Sequence, residues 1–163
     1  MVENKIEEIK EILPHIDIIV ISSLLHEVES PVQFLNSIKA ICTDKTIVHI
    51  NVPNANSLHR LLALEAGLIK EEHELSEQNV KLQQHTVFDM KMLCKMVRDA
   101  GFEIVDKGSY FIKPFTHQQM QCCLEENIID DRILEGFKKL IKYMPEYGAE
   151  IYVDVKNTSI KVE

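Results

Sequence analysis

A histidine and a glutamate follow closely on an apolar run near the start of the sequence. Residues 16–21 read Ile-Asp-Ile-Ile-Val-Ile, and four residues separate this run from His26 and Glu27. Open α/β sheets bind ligands at the carboxyl ends of their strands, where an imidazole can take a proton from a substrate oxygen or nitrogen. We therefore predict His26 and Glu27 as catalytic residues. The alternative is that His26 is a turn residue that hydrogen-bonds locally.

A second set of polar side chains follows the next apolar run, residues 46–51. Asn51 ends that run, and Asn54 and His59 come shortly after it. If the two runs are parallel strands, these side chains lie at the same edge of the sheet and are candidates for substrate recognition. An asparagine beside proline is just as often a turn former, and this second interpretation stays open for Asn54.

The spacing of histidines and cysteines does not favour a metal site. His26 and Glu27 lack the second histidine of a zinc-protease helix. The cysteines are scattered or adjacent, which matches neither a disulfide framework nor a Cys-x-x-Cys site. We predict no metal and buried free thiols at Cys42, Cys94, Cys122 and Cys123.

Alternating apolar runs and amphipathic segments must position these residues. Helices are predicted from apolar spacing of three and four residues, and strands from short β-branched or alternating runs. The first half reads as a helix over 2–13, a strand over 16–21, a helix from Ser30-Pro31 to residue 41, a strand over 46–51, a helix over 55–68 and a polar covering segment over 70–84.

The second half continues the alternation. Thr86 is predicted to cap a helix that Gly101 terminates. The later segments are strand material over 102–105 and 110–115 around a bulge at Lys107-Gly108, helix over most of 117–143, and an alternating strand over 151–155. We expect one α/β domain over residues 1–156 and a frayed tail over 157–163. Its sheet should hold four or five strands, with helices on both faces and an antiparallel C-terminal strand.

Composition limits the class of partner. The net charge is −8, with 26 acidic and 18 basic residues, which argues against nucleic acid or an acidic membrane surface. The first residues are charged and show no signal peptide, and no run reaches membrane-spanning length. We expect a cytoplasmic protein.

Four segments, in order, resemble class I S-adenosylmethionine-dependent methyltransferases. Residues 16–31, Ile-Asp-Ile-Ile-Val-Ile-Ser-Ser-Leu-Leu-His-Glu-Val-Glu-Ser-Pro, are similar to the fourth strand and the turn after it. Residues 52–60 resemble the turn after the fifth strand. Residues 84–88 with Ala100-Gly101-Phe102 resemble the histidine loop and the entry to the sixth strand, which residues 111–115 complete. The fold implied is a partial Rossmann-like methyltransferase sheet.

The resemblance implies roles for several of these residues. S-adenosylmethionine would be the cofactor, with Ser22, Ser23 and Leu24 at its methionine end; the alternative is that these three residues only finish a strand. A small molecule or sugar would accept the methyl group. The residues on the acceptor side would be Asn51, Asn54, His59 and His85; for His85 the alternative is a solvated loop residue.

The glycine-rich cofactor loop of that family has no counterpart in this sequence. Its glycines are Gly67, Gly101, Gly108, Gly136 and Gly148, too far apart to form such a loop. The first three family strands and the acid that binds the ribose are also missing, which indicates the C-terminal half of a methyltransferase. The sequence does not decide whether Met1 is the natural start.

The missing strands predict an apolar edge on the strand that begins at Ile16 and ends at Ile21. We expect a domain that is inactive alone and pairs through this edge with itself or with an N-terminal half. One alternative is a non-enzymatic interaction module that docks another protein there. Another is a small α/β enzyme, unrelated to methyl transfer, that uses His26 and Glu27 as acid and base.

Overall fold

A computed structural model of the chain describes residues 15–75, 77–81 and 84–158. Within them lie four strands, six α-helices and one 3-10 turn. In chain order these are β1 (Ile18–Ser22), α1 (Pro31–Ile41), β2 (Ile47–Pro53), α2 (Leu58–Glu65), α3 (Glu77–Lys81), α4 (Met90–Asp99), β3 (Phe102–Tyr110), α5 (His117–Glu125), α6 (Asp131–Lys139), the 3-10 turn Leu140–Lys142 and β4 (Glu150–Asn157). The helix predicted over residues 2–13 lies outside the described residues.

The four strands form one sheet in the order β1-β2-β4-β3. β1 pairs with β2 in parallel, whereas β4 pairs antiparallel with both β2 and β3. β1, β2 and β3 therefore run in one direction, and β4 lies between the last two in the opposite direction. The α/β class and the antiparallel C-terminal strand are confirmed. β4 extends to Asn157, one residue into the segment predicted as a frayed tail.

One face of the sheet carries the hydrophobic core. Each strand contributes alternate side chains, and α1 and α4 add their apolar faces to the same buried cluster. Each such aliphatic side chain contributes about 1.5–3 kcal/mol on burial. Its fully or almost fully buried members include Ile21, Val48, Ile50, Val52, Ile151, Val153 and Val155 from the strands and Leu35, Leu93 and Val97 from the helices.

The opposite face is more open. On β1, Ile18 is 65% exposed and Val20 is 63% exposed. Further along the sheet, the Tyr152 ring stacks on His49 on one side and Tyr110 on the other, with centroids 5.5 and 5.9 Å apart. In the described part of the chain, α1 and α4 cover only the core face, so helices on this second face remain a prediction.

The predicted cap at Thr86 is wrong. The helix begins three residues later, where the Asp89 carboxylate accepts a hydrogen bond of 2.6 Å from the Met92 amide. Thr86 to Phe88 stay outside the helix because Phe88 is fully buried and forms an isolated bridge with Asn54. Gly101, with a φ of +77°, ends the helix as predicted.

The predicted bulge at Lys107-Gly108 is also misplaced. β3 is continuous, and its register against β4 shifts between Ile104 and Asp106. The glycine at position 108 instead leaves space for the neighbouring Tyr152 ring, because a Cβ on Gly108 would lie 2.8 Å from Cε1 of Tyr152. The strand stops at Tyr110 since Phe111 has a φ of +62°, so residues 111–115 are not the predicted strand.

The C-terminal helical region is two helices with a turn between them. Thr116 and Gln119 form a reciprocal capping box at the start of α5. Asn127, with a φ of +56°, reverses the chain. The Asp130 carboxylate then caps α6 through the amides of Arg132 and Ile133. Because α6 carries no fully buried side chain, its capping contributes more to the stability of the helix than its packing does.

Alanine substitution at two glycines should change the stability of the fold in opposite directions. A Cβ on Gly148 would lie 2.7 Å from the Tyr110 amide nitrogen and closer still to the Ser109 hydroxyl, so we expect Gly148→Ala to destabilise the fold by about 1–3 kcal/mol. A Cβ on Gly136, in exposed α6, meets nothing within 4 Å, so Gly136→Ala should stabilise by about 0.5–1 kcal/mol. Urea unfolding measures both. Equal effects would contradict this packing of Gly148.

The described helices include none long and apolar enough to cross a membrane. All four cysteines are free. Cys94 is buried and Cys42 and Cys123 are half-buried, but Cys122 is exposed. Buried thiols were therefore predicted correctly for Cys94 and wrongly for Cys122, which lies on the solvent side of α5.

Candidate functional site at the carboxyl edge of the sheet

Three strand ends and one strand start meet at a single edge of the sheet. Because β1, β2 and β3 are parallel and β4 is opposed to them, Ser22, Pro53, Tyr110 and Glu150 close the four strands at that edge. Open α/β sheets bind ligands at this edge. The predicted residues of β1 and β2 therefore do come to one place.

The turn after β1 has a constrained backbone. Ser23 has a φ of +47°, unusual for a residue with a side chain. Its amide donates a hydrogen bond of 3.0 Å to the Asn51 carbonyl, which ties the turn to β2. Ser22, Ser23 and Leu24 are exposed, and neither hydroxyl forms a hydrogen bond with the described residues. The turn thus presents two free hydroxyls and one apolar side chain.

His26 lies beneath this turn and is 2% exposed. Its Nδ1 is buried and has no hydrogen-bond partner among the described residues. Its Nε2 is 3.8 Å from Oε1 of the exposed Glu27, too far for a hydrogen bond. Burial lowers the pKa of His26 below 6.5, and the carboxylates of Glu27 and Glu150 partly oppose this shift. His26 is therefore held neutral, in the form that can accept a proton.

The His85 segment packs against the His26 backbone. The carbonyl of His26 accepts hydrogen bonds from the amides of His85 at 2.8 Å and Thr86 at 3.4 Å. The His85 side chain itself is exposed. The structure thus brings the loop to the site through its main chain, and the role of the His85 imidazole stays a prediction.

Asn51 and Glu150 join β2 to β4. Nδ2 of the buried Asn51 donates a hydrogen bond of 2.5 Å to Oε2 of Glu150, and the Tyr110 hydroxyl donates to the same oxygen at 3.2 Å. Burial, followed by the Glu150 carboxylate, raises the pKa of Tyr110 to about 12. Tyr110 is thus a stable hydrogen-bond donor, and Glu150 keeps its other oxygen free of hydrogen bonds to the described residues.

Both the nitrogen and the oxygen of the Asn54 side-chain amide form hydrogen bonds with the backbone. Nδ2 donates to the carbonyls of Glu146 and Gly148, each at 2.9 Å, and Oδ1 accepts from the Asn56 amide at 3.0 Å. Its side chain is 1% exposed. This is the geometry of a turn former that also anchors the segment before β4.

His59 lies at the start of α2, largely buried beside two cations. Burial, then Lys113, then Arg60 lower the pKa of His59 to about 4. Its Nδ1 is buried without a hydrogen-bond partner in the described part of the chain. Arg60 in turn donates to the carbonyls of Glu72 and Glu74, which ties the polar covering segment to α2. His59 is therefore a neutral imidazole at physiological pH.

Acidification should reduce stability through His59. Since its pKa is about 4 in the folded protein and near 6.5 in an unfolded chain, the unfolded state binds the proton first. Neutral His59 makes its full contribution to the free energy of unfolding above about pH 6.5. This contribution, about 2 kcal/mol after allowance for partial exposure, is lost as the pH falls to about 4. Urea unfolding at the two ends of this range should show a smaller loss in His59→Gln than in the exposed control His15→Gln. An equal loss would contradict the burial of His59.

Buried polar atoms without partners concentrate at this edge. Such atoms cost about 1–3 kcal/mol each and are therefore usually hydrogen-bonded. In the described residues all of them lie in the turn after β1, the turn after β2 or the first turn of α2: His26 Nδ1, Asn56 Oδ1, Ser57 Oγ, His59 Nδ1 and Arg60 Nε. The concentration indicates a place where a ligand or water completes the hydrogen bonding.

A cavity of about 340 Å³ lies at the same edge of the sheet, between the end of β3, the start of β4, and helices α5 and α6. Its wall combines charged, polar and apolar side chains, among them Tyr110, Lys113, His117, Met120, Leu124, Leu134 and Glu150. Burial lowers the pKa of Lys113, and the Glu150 carboxylate opposes the shift. The edge thus offers a binding volume at the end of β3 and the start of β4.

Tyr110, Lys113 and Glu150 are not candidates in the sequence analysis. Glu150 reaches the site only because β4 inserts next to β2, which places it within hydrogen-bonding distance of a residue 99 positions away. The one local signal is that Glu150 opens the alternating strand directly after the Gly148 turn. No group of three or more histidine, cysteine or acidic side chains that could hold a metal occurs in the described residues.

The fold is that of an open α/β protein whose sheet has one inserted antiparallel strand, with the candidate site at its carboxyl edge. A family model described as "Methyltransferase domain" matches residues 2–107. The chain belongs to this methyltransferase family. No curated protein sequence is significantly similar to it.

Solved methyltransferases share the fold. One from Thermotoga maritima, described as a possible histamine N-methyltransferase, aligns at TM-score 0.53 and 12% identity over 87% of this chain and 56% of its own. One from Mesorhizobium loti aligns at TM-score 0.51 and 10% identity, over 86% of this chain and 61% of its own. The plantazolicin methyltransferase BamL, solved with S-adenosylhomocysteine, aligns at TM-score 0.50 and 17% identity, over 96% of this chain and 59% of its own. The chain thus spans little more than half the length of each.

Proposed function

We propose that this chain forms the acceptor side of an S-adenosylmethionine-dependent methyltransferase that acts on a small molecule or a sugar. The observation that carries the proposal is His26: a neutral, buried imidazole with an unpartnered Nδ1 at the carboxyl end of β1, in a chain of the methyltransferase family. A group of this kind can take the proton that an acceptor oxygen or nitrogen loses on methylation.

The turn after β1 fits one end of the cofactor. S-adenosylmethionine would supply an electrophilic methyl group on sulfur, and its methionine end carries an amino and a carboxylate group. The free hydroxyls of Ser22 and Ser23 would hydrogen-bond to that end, while Leu24, 40% exposed, would pack on its aliphatic part. The sequence holds no glycine-rich turn for the rest of the cofactor.

The residues of this chain would then orient the acceptor and hold the proton. Because His26 Nδ1 is buried, the turn would have to open for an acceptor to reach it, and the Glu27 and Glu150 carboxylates favour the imidazolium that forms. Asn51 keeps Glu150 in place across the edge. Catalysis in this arrangement comes from positioning and from one proton transfer.

We further propose that the chain is inactive alone and acts with a polypeptide segment that carries the glycine-rich turn. β1 supports this, because it pairs only with β2 among the described residues and leaves Ile18 and Val20 exposed beside a free edge. Such edges favour pairing with another strand. The partner would be that segment or a second copy of this chain. The free thiols suit the reducing cytoplasm, where we place the protein.

Calorimetric titration with S-adenosylmethionine tests the cofactor proposal. The chain alone should show no binding at about 100 µM, whereas the chain joined to a glycine-rich segment encoded upstream should bind and transfer methyl. In that assembly His26→Gln should retain binding and lose about 10²-fold or more in kcat, with exposed His15→Gln unchanged. Micromolar binding by the chain alone would disprove the need for a partner. An assembly that binds the cofactor without His26-dependent transfer would disprove the catalytic role.

The free edge also favours a second function, a non-enzymatic interaction module. Here β1 would dock a different protein, and no methyl transfer would depend on His26. Val20→Lys should then abolish association seen by light scattering, whereas Val105→Lys, also exposed but on the opposite edge strand β3, should not. A monomer at high protein concentration would remove self-association from either function.

A further inference from the structure

The cavity at the candidate site contains an acid and a base that attract each other but form no ion-pair contact. Lys113 and Glu150 both line it. Within the described residues, Lys113 Nζ forms neither a hydrogen bond nor an ion pair, although the side chain is half-buried. A half-buried ammonium that forms no direct hydrogen bond is costly even with the Glu150 carboxylate nearby, so its retention points to a ligand that supplies one.

One carboxylate oxygen of Glu150 accepts two hydrogen bonds, and the other accepts none from the described residues. Both of its hydrogen bonds, from Asn51 and from Tyr110, end on Oε2. Oε1 has no hydrogen-bond partner among the described residues. These two bonds, one from each neighbouring strand, hold the carboxylate at the mouth of the cavity. An ionised carboxylate only accepts hydrogen bonds, so Oε1 selects a ligand group that donates one.

Most of the remaining wall is apolar, with His117 and Gln121 as its polar members. Met120 is buried, and Leu124 and Leu134 from the two facing helices are half-buried where they line the cavity. A ligand must therefore carry an apolar body between its polar ends, because apolar lining favours apolar surface and gives no hydrogen bonds. A sugar, polar all round, suits this wall poorly.

We infer that the cavity binds a small amphipathic acceptor, with an anionic group on Lys113 and a hydroxyl or amino group donating to Oε1 of Glu150. The inference rests on the proposed function, since it names the acceptor class. Glu150 is joined through Asn51 to the turn after β1, since the Asn51 side-chain amide donates to Glu150 and the Asn51 carbonyl accepts from the Ser23 amide. The end that Glu150 holds is therefore the end that accepts the methyl group.

Four matched probes test the ligand class on the whole chain. They are 4-hydroxyphenylacetate, phenylacetate without the hydroxyl, 4-hydroxyphenylacetamide without the charge, and tyramine with the opposite charge. Binding is followed by the ¹³C-methyl NMR signal of Met120, assigned by its absence in Met120→Leu. We expect 4-hydroxyphenylacetate to bind most tightly, the two singly altered probes about tenfold more weakly, and tyramine weakest.

Two variants separate the two contacts. Lys113→Met should remove the preference for the carboxylate and keep that for the hydroxyl, and Glu150→Gln should do the reverse. Lys45→Met, on an exposed lysine far along the chain from the cavity, should change neither. Equal binding of all four probes, tightest binding of tyramine, no probe shift at Met120, or variants without effect would overturn the inference.

The probe experiment needs no cofactor. If the probes bind as expected while the assembled protein neither binds S-adenosylmethionine nor transfers methyl, the proposed function fails and the ligand class of the cavity stands. If the assembled protein transfers methyl but the cavity shows no charge preference, the inference fails alone.

Discussion

Phe88→Ala should destabilise the protein by about 3–5 kcal/mol, a large part of the total stability of a domain of this size. Phe88 is among the largest fully buried side chains and belongs to the main hydrophobic cluster. Its backbone bridges to Asn54, and its carbonyl accepts a hydrogen bond of 2.8 Å from the Ala55 amide. Removing the ring leaves a cavity at the point where the His85 segment meets the turn after β2.

Phe115→Ala is the matched control, since Phe115 is 42% exposed on the surface near α5. It should cost less than about 1 kcal/mol. Urea unfolding followed by circular dichroism compares the two variants. If Phe88→Ala cost no more than Phe115→Ala, Phe88 could not be the buried anchor that keeps Thr86 out of the helix.

Asn54→Ala should cost about 2–4 kcal/mol, because it removes three hydrogen bonds, one buried and two half-buried, and leaves backbone groups unpaired. Two of these bonds connect the end of β2 to Glu146 and Gly148, shortly before β4. Asn54 thereby holds β4 in the register that brings Glu150 to Asn51. Its predicted place on the acceptor side would then be indirect, through the position of Glu150.

Asn56→Ala provides the comparison for Asn54→Ala. Its side-chain oxygen is buried, and the Asn56 side chain has no hydrogen-bond partner among the described residues. The variant should therefore change stability by less than about 1 kcal/mol. Thermal and urea unfolding measure the loss of stability in each of the two variants. A smaller loss in Asn54→Ala than in Asn56→Ala would show that the amide of Asn54 is free for a ligand.

The proposals divide the edge of the sheet into two regions. The turn after β1, with its two free hydroxyls and buried His26, faces the proposed cofactor and the reacting atom. In the second proposal, the cavity beyond Asn51 and Glu150 would hold the body of the acceptor. Ser23 and Phe111, both with positive φ, end β1 and β3 at the two regions. Strained residues of this kind occur often at functional sites, where the surrounding structure keeps them in place.

Local patterns in the sequence determined the elements and the first half of the site. A continuous β-branched run predicted β1, and the alternation of Ile151, Val153 and Val155 predicted a strand with one buried face. Both signals depend on neighbours within a few residues, and burial in the sheet preserves them. The position of His26 after a strand, and the family resemblance around it, were readable for the same reason.

Only the tertiary structure decided the other half of the site. The insertion of β4 between β2 and β3 is a pairing across about a hundred residues, which local periodicity does not encode. That insertion brought Glu150 to Asn51 and Tyr110, and it made the cavity with Lys113. Burial of Phe88 likewise overrode the local capping signal of Thr86, because a buried aromatic ring stabilises more than one capping hydrogen bond.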